Sequence, residues 1–108
     1  KDRGVTPPQI FMASLSSCIG AFVANYCKEH NIDATDMTVE VSFDKIANPT
    51  RLVNIKARVE LPHAEIGKRE EAVRRVALHC PVHESIKVFE GIDLEILDRE
   101  KLAEALPA

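Results

Sequence analysis

The sequence predicts an α+β fold in which a long buried helix packs on an antiparallel sheet. Three observations carry this. Residues 10–24 are apolar or small on nearly every side of a helix. Two later stretches, "MTVEVSF" and "LVNIKARVEL", alternate apolar and polar residues as half-buried strands do. "EIGKREEAVRRVALHC" instead spaces its apolar residues as one helical face, and Pro81 stops it.

The elements follow in order. Thr6 is placed to cap the first helix, with Pro7 and Pro8 in the first turn, where amides have no intrahelical partner. The helix runs through "QIFMASLSSCIGAFVANYCKEH". Lys28 and His30 suit the negative end of its dipole, and Asn31 suits a left-handed residue that closes it. Strands are expected over Met37–Phe43 and Leu52–Leu61, joined by the turn in "ANPTR" and ended by Pro62. A helix over Glu65–Cys80 should bury Ile66, Val73, Val76 and Ala77, with its charges as a solvated face. After Pro81, "VHESIKVF" reads as a short helix, Gly91–Leu97 as a further strand, and "REKLAEAL" as a terminal helical turn or two.

Composition narrows the function. The 108 residues suit a single domain over 1–108, with 45% hydrophobic and 29% charged residues, as in ordinary globular proteins. A net charge of -3 with interleaved signs gives no basic stripe, and there is no Trp and one Tyr. Both facts argue against nucleic acid as a partner. No uninterrupted apolar run approaches the roughly 20 residues of a membrane span, so no membrane partner is expected. Three cysteines are an odd and sparse set, which suits a reducing compartment, the cytoplasm. The chain starts at Lys1 without Met, so further residues upstream are an expectation. A helix apolar on all sides needs more cover than this chain supplies. It predicts a homodimer, strands ahead of Lys1, or both.

The chemistry centres on cysteine. Cys18 lies mid-helix on a small-residue surface, where it serves as readily for packing as for reaction. Cys27, nine residues on, falls on the opposite face and about 13 Å along the axis, too far for a disulfide. It reads as structural or as an exposed spare thiol. Cys80 precedes Pro81, which drives its backbone out of the α region and makes it an N-cap. The amides of the following helix then point at its sulfur, which lowers a thiol pKa; His79 and His83 could add positive charge. A proline corner with a packed cysteine is the plainer alternative. His79 and His83 are spaced like zinc ligands, with Cys80 and Cys18 to add, but Pro81 separates them and no second cluster completes a site. Neither a metal nor a cofactor is expected.

Taken together, "TPPQIFMASLSSCIGAFVANY" and "HCPVHES" resemble the two cysteine segments of the osmotically induced protein C and organic hydroperoxide resistance family (OsmC/Ohr), in its His-Cys-Pro-Val-His form. The resemblance covers about Gly4 to Leu97 and includes the element order. It implies an OsmC-like fold in an intertwined homodimer with active sites at the subunit interface. It implies a thiol peroxidase of the oxidative stress response, with Cys18 as peroxidatic and Cys80 as resolving cysteine. The substrate would be a small-molecule peroxide, and the reductant a dithiol, often a lipoyl group. Relatives carry a glutamate about ten residues before the reactive cysteine; here that position is Pro8, followed by Gln9. Gln9, His79 and His83 are therefore accessory candidates. Relatives also use an arginine from N-terminal strands, which lie outside this sequence. The alternative to catalysis is an OsmC-like binding or interaction module with structural cysteines.

Overall fold

Thr6 and Gln9 cap each other where the first helix begins. The Gln9 N–H donates to the Thr6 hydroxyl at 3.3 Å, and the Thr6 N–H donates to Gln9 Oε1 at 3.0 Å. This reciprocal box satisfies two amides that the helix cannot, and starts α1 (Pro7–Glu29). Its far end closes as the sequence predicts. Asn31 is left-handed at φ 56°, and the Ile32 N–H returns to the Cys27 carbonyl at 2.8 Å. The computed structural model describes residues 4–105.

Met12, Leu15, Ile19, Val23 and Cys27 form the buried stripe of α1 at helical spacing. The strands β1 (Thr38–Ile46) and β2 (Arg51–Glu60) pair antiparallel against it. Val39, Val41 and Val59 point inward, and Gly20 lets β1 lie close. The register breaks once: Asn54 and Ile55 of β2 stand opposite Phe43 of β1, with Asn54 left-handed at φ 53°. Asn54 Nδ2 donates to the Asp44 carboxylate at 2.9 Å and ties the bulge to the neighbouring strand.

Helix α2 (Glu70–Leu78) lies across α1 and buries Val73 and Ala77, with Ile66 and Val76 half-buried, on the predicted face. It starts later than its apolar spacing implies. Gly67 is left-handed at φ 46°, so a short 3-10 turn over Gly67–Arg69 precedes it. The helix α3 (Pro81–Lys87) follows the corner at Pro81 and packs on α1. Then α4 (Arg99–Ala105) forms where expected, except that Leu106 lies outside the described residues.

Two expectations are corrected. Gly91–Leu97 is not a strand: it has no ladder partner, and Ile92, Leu94 and Ile96 are 79%, 74% and 74% exposed. Alternation assigns side chains to faces, but a strand also needs a neighbour for its backbone hydrogen bonds, and the described residues supply none. As expected, this chain alone does not cover helix α1 all round: the hairpin, α2 and α3 bury one stripe. Ile10, Phe11 and Phe22 stay open. Finally, α1 is long and apolar enough by length and composition to cross a membrane, although no unbroken apolar run was expected to reach that length. Its buried stripe, packed on two strands and two helices, gives it the position of a core helix. The chain is drawn out, 63 Å in its longest dimension, with a radius of gyration of 19.6 Å. A compact chain of this length has about 13 Å.

Candidate functional site

Cys18 and Cys80 meet where α1 packs on α3. Cys18 sits in the middle of α1, half-buried; Cys80 is the N-cap of α3 and has no exposed surface. Pro81 holds Cys80 extended, at φ -71° and ψ 147°. Its Sγ accepts the His83 N–H at 3.4 Å, and its carbonyl accepts the Glu84 N–H at 2.9 Å. Both thiols are free, and Cys18 lies close enough to Cys80 to act on its thiol. So 61 residues of intervening chain are folded to bring these two cysteines together.

The net effect on Cys80 is opposite to that expected from its helix-terminal position. Burial comes first and pushes the thiol above the ordinary cysteine range. The His83 N–H pulls the other way, Cys18 raises it further through the shared hydrogen bond and like charge, and the Val82 N–H gives a smaller opposing pull. The amides do point at the sulfur, but desolvation in the core outweighs them.

The other candidates are placed as follows. His79 is 76% exposed and turns to Glu84, with Nδ1 3.3 Å from the carboxylate, which also holds Lys87 at 3.2 Å. His83 is half-buried, and its Nδ1 lies 2.7 Å from the Leu78 carbonyl at the end of α2. Gln9 is occupied by the capping box, nine residues and so about 14 Å along the axis from Cys18. Cys27 is buried, not spare, and burial raises its thiol. Among the described residues no three His, Cys, Asp or Glu side chains converge as ligands of a metal.

One feature escaped the sequence reading. An apolar groove of about 570 Å³ opens between α1 and α3, lined by Phe11, Pro81, Val82, Ser85, Ile86 and Phe89. Phe11 is seven residues before Cys18 and so on the same face of α1, two turns away. That spacing was the available signal for half of the groove. The other half depends on how α3 leans on α1. A second crevice, about 340 Å³, opens between β2 and α2; neither lining includes a cysteine.

The arrangement can join two sulfurs by a covalent bond, and an apolar groove opens between the same two helices. Known proteins share this framework. The family model described as OsmC-like protein matches residues 1–96. A solved chain from Psychrobacter arcticus 273-4, assigned to the osmotic stress induced and detoxification response, has a TM-score of 0.71 at 25% identity. The match covers 79% of this chain and 62% of that one. An OsmC like protein from Mycoplasma pneumoniae has a TM-score of 0.67 at 20% identity, covering 82% of this chain and 66% of its own. This chain thus spans less than two thirds of the first solved relative. No curated protein matches it in sequence. With its element order, its fold and nearly its whole length accounted for, the chain belongs to the OsmC-like protein family.

Proposed function

We propose that this chain is a cysteine-dependent reductase of organic hydroperoxides, of the His-Cys-Pro-Val-His branch related to the organic hydroperoxide resistance proteins. One observation carries the reading: a half-buried thiol and a fully buried thiol interact where α1 packs on α3, the two helices that wall an apolar groove. The exposure difference supports the order of reaction. Cys18, the reachable sulfur, attacks the terminal peroxide oxygen as a thiolate. The O–O bond breaks, the alcohol leaves with a proton, and Cys18 is left as a sulfenic acid. The Cys80 sulfur then attacks the Cys18 sulfur. The S–S bond forms, the S–O bond breaks, and the hydroxyl leaves as water with the Cys80 proton. An external dithiol, such as a reduced lipoyl group, exchanges with the disulfide and is itself oxidised to its cyclic disulfide. The groove favours a hydrocarbon-bearing peroxide over hydrogen peroxide.

The working unit of this reading is a homodimer in the cytoplasm, serving the oxidative stress response. Support comes from the open Ile10 and Phe22 on α1 and from the exposed Ile92, Leu94 and Ile96, which one chain leaves without cover.

The test is one equivalent of an alkyl hydroperoxide followed by peptide mass spectrometry. The expected product is a single Cys18–Cys80 disulfide. Cys80→Ser accumulates sulfenic acid at Cys18, and Cys18→Ser consumes no peroxide. Unmodified thiols in the presence of persisting peroxide sink the reading. The second reading, a non-catalytic binding or interaction module with structural cysteines, is favoured by the zero exposure of Cys80 and its raised thiol. It predicts that Cys18→Ser leaves ligand binding intact.

A further inference from the structure

His83 touches both sides of the corner that carries Cys80. Its backbone N–H donates to the Cys80 sulfur at 3.4 Å. Its ring reaches back five residues to the Leu78 carbonyl at 2.7 Å. A carbonyl can only accept, so Nδ1 is the donor and carries the proton. Leu78 is the last residue of α2, where carbonyls lack intrahelical partners. One side chain therefore caps the helix before the corner, while its own backbone caps the sulfur at the start of the helix after it.

Little else ties the two sides together. Pro81 fixes one dihedral. The His79–Glu84 pair also crosses the corner, but the groups are 76% and 41% exposed, and such pairs contribute little in water. The ring bond of His83 is shorter than that pair's contact, 2.7 Å against 3.3 Å.

We infer that His83 is a positioning residue: its Nδ1–H to Leu78 bond locks the α2–α3 corner and thereby holds the Cys80 sulfur against Cys18. This deepens the proposed function, on which its catalytic meaning rests; the geometric role stands on the corner itself. The bond predicts a high effective concentration of one thiol for the other. That quantity is readable without any peroxide, from the equilibrium of the Cys18–Cys80 disulfide with reduced and oxidised glutathione.

The test compares His83→Ala, His83→Asn and His83→Gln in the full chain. Asparagine places an amide N–H near the position of Nδ1; glutamine carries its amide to the Nε2 position. Loss of this 2.7 Å hydrogen bond is expected to lower the equilibrium constant for disulfide formation about tenfold in the alanine and glutamine variants, with asparagine within about threefold of wild type. Tenfold corresponds to about 30 mV for this two-electron couple. The inference is overturned if alanine lies within about twofold of wild type, or if glutamine restores the equilibrium as well as asparagine. Should the alanine variant fail to fold, the asparagine and glutamine pair decides the matter. A wild-type chain that forms no Cys18–Cys80 disulfide against glutathione also overturns it. A chain that forms the disulfide yet leaves peroxide untouched sinks the proposed function and leaves the role of His83 standing.

Discussion

Replacing Phe11 with alanine removes one wall of the groove between α1 and α3 without touching either sulfur. A phenylalanine presents about 200 Å² in total, and Phe11 is 40% exposed, so about 80 Å² faces outward. A hydrocarbon that covered all of it would gain about 2 kcal/mol, at about 25 cal/mol per Å². The groove is open on one side, so about half of that, roughly 1 kcal/mol or fivefold in rate constant, is the expected contribution. Hydrogen peroxide has no hydrocarbon to bury. Stopped-flow oxidation of Cys18 should therefore slow about fivefold with cumene hydroperoxide and stay within about twofold with hydrogen peroxide. Alanine favours the helix, so α1 should persist, as circular dichroism will report. An equal loss with both oxidants, or no loss with either, would refute the assignment of the groove to the substrate.

Two predictions concern stability. Gly20→Ala should stabilise the chain by about 0.5–1 kcal/mol, because an interior helical glycine is poorer than alanine by about that much. A β-carbon there meets Val39 Cγ2 at 3.6 Å, an ordinary contact. A gain of this size raises Tm by about 4 °C, and a fall in Tm would show that β1 cannot accommodate a methyl group. The second prediction follows from Cys27 and Cys80, which burial pushes up in the folded state. Unfolded thiols ionise near about 8.5. Above that pH the unfolded chain holds fewer protons than the folded one, so unfolding is increasingly favoured until the folded thiols also ionise. Urea melts between about pH 7 and pH 10 should show stability falling on the alkaline side, less steeply in Cys27→Ala. Stability that stays level or rises there would contradict burial as the dominant influence on these thiols.

Sequence alone determined the local structure where the cause is local. A capping threonine and two prolines announce the start of α1. A left-handed asparagine marks its end, strict alternation marks the hairpin, and Cys-Pro marks the corner before α3. Each rests on interactions within a few residues, which the order of amino acids contains outright. The tertiary structure decided what depends on distant neighbours. The meeting of Cys18 and Cys80 requires α3 to lie on α1. The upward shift of the Cys80 thiol requires burial, which overrides the amides that sequence position supplies. His83 discloses its part only once its ring is seen on the Leu78 carbonyl. Gly91–Leu97 has a strand's pattern but no adjacent strand among the described residues. A pattern of side chains fixes which face is apolar; hydrogen-bonding neighbours and desolvation are properties of the packed chain.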